Sequence, residues 1–432
     1  MGLIILAATV VIEISFAFYC IITKSSHIKQ KSLLRIFAFL IFSIITIFNV
    51  IPFDFRYHAF GISLFLLTIN GAKNFIRNHS ERKPFKTSAT VYRTIGLIFL
   101  FVTTLIPTLL FPQNIRVIEV TGNYPVLSEK HSYIDSSRLE GYSDNNENRK
   151  LNVQFWYPDI EQKRVPLIVF SHGGLGVKSS NESLFRELAS HGYVIVSIDH
   201  TYHSFFTKDE KGKTTWIDFG YVQELFGENP LVNMEQSFDR YQKWMKIRMD
   251  DMNFVIDTII AQVNEDSASS FYSRIDTGKI GVMGHSLGGS SALGIGKSRI
   301  DIQAVIALES PYLYDIKGVS NGEFIVDQMK YPVSVLNVYS DSAYGILSQR
   351  PQYSTNYRML IHPNENEFNV YFNGIGHLAL TDFALTSPIL TKFLDGNDVG
   401  IETTSENLKK INEVCLAFFN RFLKEEGEFV QN

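Results

Sequence analysis

Gly284-His285-Ser286-Leu287-Gly288 is the stretch on which the reading of this chain turns. It follows a short apolar run, Lys279-Ile280-Gly281-Val282-Met283, and precedes a small-residue run, Gly289-Ser290-Ser291-Ala292-Leu293-Gly294. That order predicts a strand, a sharp turn and a helix. In a G-x-S-x-G turn the backbone is strained, edge glycines let strand and helix approach closely, and the serine Oγ projects at the tip. A serine held there is a nucleophile in need of a base. A Gly/Ser turn without chemistry is spelled the same way, so the rest of the chain has to supply the partners.

Outward from the turn, strand and helix patterns alternate. Apolar runs at 151–157, 167–170, 193–198, 280–283, 304–308, 333–339 and 368–372 read as strands. Residues 184–190 and 408–423 read as helices. Met252, Val255, Ile256, Ile259, Ile260 and Val263 recur at the spacing of one helix face. Such alternation predicts an α/β fold with a mostly parallel sheet covered on both sides. Residues 114–148 are polar and mixed, with one strand expected at 115–120. Between 203 and 240 the periodicity breaks down while Phe205, Phe206, Trp216, Phe219, Tyr221 and Phe226 accumulate. A long irregular connection of that kind reads as a lid or pocket wall.

A serine nucleophile on such a turn is followed in the chain by its acid and then its histidine. Only His362 and His377 follow Ser286. His362 precedes the last strand. His377 follows it, in Asn373-Gly374-Ile375-Gly376-His377, where a glycine-rich loop beyond a strand end brings a side chain over the turn. His377 is therefore the expected base. Two carboxylates stand at strand ends, where catalytic groups of open α/β sheets collect: Glu309 after Val305–Leu308, and Asp341 after Val338-Tyr339-Ser340. Either one suits the task of orienting the imidazole. Spacing alone favours Asp341. An oxyanion hole needs two backbone N–H donors. Leu287, just after the serine, offers one, and Gly174 in Ser171-His172-Gly173-Gly174-Leu175-Gly176 offers the other. His172 reads as a prop for that loop. Asp199, His200 and His203 are three potential ligands packed into five residues without a fourth, a poor metal site. Neither a metal nor a cofactor is expected, and there is no phosphate-cradling G-x-x-x-x-G-K sequence.

Bulk numbers place this chemistry. The net charge of −4 over 432 residues gives no footprint for nucleic acid. Two cysteines, Cys20 and Cys415, do not make a disulfide framework. The mean hydropathy of +0.02 is concentrated in the first quarter. Apolar segments at 2–23, 36–53, 58–71 and 95–111 predict about four membrane-spanning helices, the third being short for a span. Lys24, Lys29, Lys31 and Arg35 fill the first loop, and Lys73, Arg77, Arg82, Lys83, Lys86 and Arg93 the third. With four spans both basic loops are cytoplasmic, and the N-terminus and everything after Phe111 lie outside. If the third segment does not cross, the large domain is inside. Glu13 is the one charge in the first segment. The expected organisation is a membrane block at 1–112, a linker and first strand at 113–150, and a catalytic domain at 151–432 with a lid or pocket loop at 203–240.

One ordered set of segments has a family likeness. It comprises Phe155-Trp156-Tyr157-Pro158, Val169-Phe170-Ser171-His172-Gly173, Ala189-Ser190-His191-Gly192-Tyr193-Val194 with Asp199-His200, the turn at Ser286, and His377 with Asp382-Phe383. Over residues 151–383 this set resembles the platelet-activating factor acetylhydrolase family of α/β-hydrolases; the membrane block lies outside the likeness. The resemblance implies an α/β-hydrolase fold and a cofactor-independent serine esterase acting on short or oxidised acyl chains of phospholipids. It also implies Glu309 as the acid, at a position where the family usually carries aspartate. The expectation is a membrane-anchored serine carboxylic-ester hydrolase with Ser286, His377 and Glu309, and Asp341 as the alternative acid. Its expected partners are an ester or lipid substrate and the membrane. Two rival readings remain at this point: an acyltransferase on the same residues, and an inert hydrolase-like domain in a membrane sensor or scaffold.

Overall fold

The computed structural model describes the chain except residues 77–83, 113–116, 161–162, 266–270, 397–400 and 431–432. The basic residues Arg77, Arg82 and Lys83 of the third loop lie outside the described residues. Two compact units emerge: Met1–Ile115 with Thr386–Leu390, and Arg116–Leu385 with Thr391–Asn432.

The first unit is built on four helices: α1 (Gly2–Thr23), α2 (Ile28–Ile47), α3 (Phe55–Ile76) and α4 (Thr87–Leu110). Among the described residues three of them, α1, α2 and α4, are long and apolar enough to cross a membrane. This corrects the expectation of four. The third apolar segment does form a helix of 22 residues. Arg56, His58, Asn70, Lys73 and Asn74 fall within it and dilute its apolar run. Its inner face is nonetheless built for packing: Phe60 meets Phe42 of α2 and Phe101 of α4 edge-on, with ring centroids 5.4 and 5.7 Å apart. Glu13 is buried and pairs with Lys31 at 3.8 Å.

The second unit holds one sheet of eight strands among the described residues. They are β1 (Val126–Leu139), β2 (Asn148–Pro158), β3 (Val165–Ser171), β4 (Val194–Asp199), β5 (Ile275–His285), β6 (Ile302–Leu308), β7 (Ser334–Ser340) and β8 (Glu367–Phe372). Their spatial order is β1-β2-β4-β3-β5-β6-β7-β8. β2 runs antiparallel to β1 and β4, and the other pairings are parallel. With helices on both faces this is the α/β-hydrolase arrangement.

Strand alternation sorts the core into two layers. Leu167, Val169, Ile280 and Val282 point to one face, where α7 (Met234–Asn264) and α8 (Leu287–Ser298) cover them. Ile168, Phe170, Met283 and Ile306 point to the other, under α5 (Glu182–Ser190) and the C-terminal helix Ile401–Phe419. Each such fully buried side chain contributes roughly 1.5–3 kcal/mol of transfer free energy. The central strands are therefore the rigid base on which the loops at their C-terminal ends stand.

Two expectations fail in this unit. Residues 117–120 form no strand, and Ile115 and Arg116 lie outside the described residues. The first strand is instead β1, within the stretch read as polar. It is an edge strand with only Asp135 buried, so no apolar alternation marks it. Residues 203–240 are also more regular than expected. They hold a hairpin, Phe206–Lys208 with Thr214–Trp216, then α6 (Phe219–Phe226), then the start of α7. Elements of three to eight residues are too short to show a period.

Candidate active site

Ser286 sits between the end of β5 and the first residue of α8, with φ 55° and ψ −126°. A non-glycine residue there costs on the order of 1–3 kcal/mol, a strain that persists only where surrounding structure imposes it. The surroundings are tight. A Cβ at Gly284 would come within 2.4 Å of the Gly288 carbonyl carbon, and one at Gly288 within 2.0 Å of Ser171 O. Only glycine fits at either place, which is why the pattern is spelled as it is. Ser286 N donates to Leu308 O at 2.9 Å, tying the turn to β6.

His377 stands on the loop after β8, turned there by Gly374 at φ +83°. Its backbone N–H donates to Ser342 Oγ at 3.0 Å, and its carbonyl accepts from His285 Nε2 at 3.0 Å. The His377 ring centroid lies 4.4 Å from that of His285, the residue before Ser286. The Leu378 and Ala379 N–H groups donate to the Asp395 carboxylate, which braces the turn beyond the histidine.

Glu309 follows β6 at φ 48° and is 2% exposed. His377 Nδ1 donates to its Oε1 at 2.7 Å. Its Oε2 accepts from Ser340 N at 2.6 Å and from the Ser340 hydroxyl. Burial pushes the carboxyl up, but His377 and these two donors outweigh it and hold Glu309 below the usual glutamate value. Burial likewise pushes the His377 imidazole down, and the Glu309 hydrogen bond and charge outweigh it, leaving the ring above the usual histidine value. With Nδ1 protonated and bound to Glu309, Nε2 of neutral His377 is the acceptor.

Asp341 is not brought to His377. It is exposed, and its oxygens accept from the Tyr371 hydroxyl and, at 3.0 Å, from Gly374 N. It holds the histidine loop by its backbone. His362 ends the helix Ser354–Ile361 as its C-cap, before β8.

The loop after β3 lies against the serine turn. A Cβ on Gly173 would lie 3.5 Å from Ser286 Cβ. Gly174 faces α6: its carbonyl accepts from Tyr221 Oη at 3.0 Å, and a Cβ there would meet Leu225. Leu287 opens α8, whose first N–H groups have no partner within the helix. His172 is buried and props the loop: Nδ1 donates to Gly173 O at 2.7 Å, and Nε2 lies 2.7 Å from Ser204 Oγ. Burial and the Arg248 charge keep that ring neutral, well below the usual histidine value.

Residues 138–432, more than half of the chain, match the family described as platelet-activating factor acetylhydrolase, isoform II. The chain belongs to this family. It is 23% identical over 286 residues to the platelet-activating factor acetylhydrolase of Canis lupus familiaris, covering 62% of this chain and 60% of that protein. Identity to the Cavia porcellus protein of the same name is 23% over 281 residues, with the same coverage. A shorter match, 27% over 153 residues, joins 35% of the chain to 37% of cutinase est1 of Thermobifida alba. The chain thus spans about 60% of the length of the first curated relatives it matches. Among solved structures, ferulic acid esterase from Streptomyces cinnamoneus superposes with a TM-score of 0.54 at 19% identity, over 73% of this chain and 95% of that one. That likeness speaks for the fold.

Within the region shared with the acetylhydrolase family lie interactions the sequence did not reveal. Ser340 and Ser342 hold Glu309 and His377. Beneath the β3 loop lies a buried polar layer. His200 Nδ1 donates to Asp251 Oδ2 at 2.9 Å, and its Nε2 meets Ser171 Oγ at 2.8 Å. Arg149 grips Asp251 with Nε at 3.0 Å and Nη2 at 2.6 Å. Burial pushes the His200 ring down to about 4, so it is neutral. Asp199 is taken by Lys178 and Thr207. Among the described residues no three His, Cys, Asp or Glu side chains gather as a metal site. A cavity of about 230 Å³ opens beside Glu309 and His377, walled by Ala343, Ile346, Arg350 and Tyr353.

Proposed function

We propose that this protein is a membrane-anchored serine esterase, with Ser286 as nucleophile, His377 as general base and Glu309 as the acid that orients it. The observation that carries the reading is the 2.7 Å His377–Glu309 hydrogen bond on the loop beside a serine held at φ 55°. His377 Nε2 takes the Ser286 proton as Oγ attacks the ester carbonyl. The Gly174 and Leu287 N–H groups receive the oxyanion. The imidazolium, stabilised by the Glu309 carboxylate, then protonates the leaving alkoxide. Water, deprotonated by the same histidine, releases the acid from the acyl-enzyme. Residues 203–240 serve as a pocket wall, through the contact of α6 with Gly174.

The proposed substrates are carboxylic esters, including short acyl groups of phospholipids. Two features support this. The cavity beside His377 combines the apolar Ile346 and Tyr353 with the cationic Arg350, a lining suited to an amphiphilic leaving group carrying an anion. The three apolar helices would keep the site where such esters partition.

Ser286→Ala in the full-length protein should reduce turnover of a short-chain aryl ester by on the order of 10⁵–10⁶-fold and abolish fluorophosphonate labelling. A wild-type protein that is neither active nor labelled overturns the assignment. The outer-face placement expected from loop charge requires α3 to cross with its neighbours. Labelling of a cysteine replacing Asn146 from outside intact cells would mean that α3 crosses, and protection there puts the catalytic unit in the cytoplasm.

A further inference from the structure

Arg248 is a fully buried arginine on α7 that reaches the backbone of the β3 loop. Its Nη1 donates to His172 O at 2.5 Å, and its Nη2 donates to Gly173 O at 3.3 Å. Nη2 also lies 3.5 Å from Tyr221 Oη, which in turn donates to Gly174 O at 3.0 Å. Three consecutive carbonyls, 172 to 174, are thereby tied to one guanidinium, the last through a tyrosine. Nε finds no hydrogen-bond partner among the described residues. Burying a guanidinium is expensive, and an incompletely satisfied one is a poor source of stability compared with an apolar side chain of similar volume. Packing alone gives α7 no reason to carry it.

The geometry of the peptide unit supplies one. No described peptide bond is cis, and in a trans peptide the N–H points opposite to the C=O of the preceding residue. Drawing His172 O and Gly173 O onto Arg248 therefore turns the N–H groups of Gly173 and Gly174 the other way. His172 Nδ1 and Gly176 N, at 2.7 and 3.1 Å, add to the hold on Gly173 O. The serine turn is a close neighbour, Ser286 Cβ being 3.5 Å from the Cβ position of Gly173. An oxyanion hole works because its donors are in place before charge develops. A cation bonded to the carbonyl of a peptide also polarises its N–H, strengthening the bond that N–H donates.

We infer that Arg248 is a positioning residue that presets the oxyanion hole through the Gly174 N–H, without itself touching substrate. The inference rests on the esterase reading above. It separates Arg248 from the acid–base pair: its removal harms the binding of a tetrahedral oxyanion and leaves ground-state binding and the titration of His377 in place.

The test compares wild type, Arg248→Lys and Arg248→Met as full-length protein in detergent, with a short-chain aryl ester and phenylboronic acid as the tetrahedral probe. An ammonium keeps the charge but lacks the planar fork that holds two carbonyls. The expected losses in kcat are about 10-fold for Lys and about 100-fold for Met, the latter at the low end of the range for a lost oxyanion donor. KM should change little, boronate affinity should fall in step with kcat/KM, and the acid limb of the pH profile should stay where it is in wild type. A folded lysine variant with wild-type kcat and boronate affinity overturns the inference, as does a loss confined to KM. Since Arg248→Lys keeps the buried charge, it decides the matter even if the methionine variant does not fold. An inactive wild type would instead overturn the esterase reading itself.

Discussion

Glu309 and Asp341 end neighbouring parallel strands, β6 and β7, on the same edge of the sheet, yet they lead different lives. Glu309 is 2% exposed, leaves its strand at φ 48° and meets His377 Nδ1 at 2.7 Å. Asp341 is exposed and is spent on Tyr371 and the Gly374 N–H. The comparison teaches that a strand end offers a place for a catalytic acid but does not assign it. Assignment follows from where the backbone turns next and how deep the carboxylate ends up. A buried carboxylate interacts strongly with an imidazolium because little water screens the pair. An exposed one at a loop edge has water to answer it. The extra methylene of glutamate over the aspartate usual in the family fits this picture, with the left-handed turn folding the longer side chain back toward β7, where Ser340 receives it.

The widest break of this comparison is Glu309→Gln. The amide presents an NH₂ where His377 needs an acceptor, which favours the tautomer with hydrogen on Nε2, the nitrogen that must accept the serine proton. Loss of kcat is expected on the order of 10⁴-fold, as for triad acids of this type. The pH dependence carries a sign as well. His377 acts as base only when neutral, so activity falls as pH drops through its value. Burial lowers that value and Glu309 raises it, with Glu309 prevailing. Without that carboxylate burial is opposed only by the Asp395 charge, the smallest of these influences, so the acid limb of the residual activity should move to lower pH. A limb that stays in place, or a loss below about 10-fold, would mean that Glu309 does not orient the base.

How much of this was legible in the sequence follows from what a side chain's neighbours in the chain can reveal. The turn at Ser286 was legible because its constraints are local: glycines at 284 and 288 answer backbone contacts of 2.0–2.4 Å. The central strands were legible because they are buried on both faces and read as apolar runs. β1 was not, since an edge strand with one buried residue carries no pattern. The third apolar segment shows the reverse limit: its helix is there, but its polar residues keep it from meeting the composition of a span. Spacing does not separate Glu309 from Asp341; what differs between them, the φ of 48° at Glu309 and its burial, is not encoded in spacing. Arg248 had a signal that went unused. Tyr241, Trp244, Met245, Met249 and Met252 make the buried stripe of α7, and Arg248 stands within it. A cation on the apolar face of a helix has to reach something polar inside.

The finer break is Asp341→Asn. If the acid were shared between the two strand ends, this change would approach Glu309→Gln in effect and move the acid limb the same way. The structure argues for something smaller and different in kind. Asparagine keeps an acceptor for the Gly374 N–H and can still bond the Tyr371 hydroxyl, so the histidine loop keeps both attachments and loses a charge exposed to water. Exposed charge interactions of this sort are worth about 0–1 kcal/mol, which corresponds to at most a few-fold change in kcat. The acid limb should coincide with that of wild type, because Asp341 makes no hydrogen bond to the ring. Measured side by side, the two variants should therefore differ by roughly three orders of magnitude in kcat, and equal losses would return the acid to an open choice.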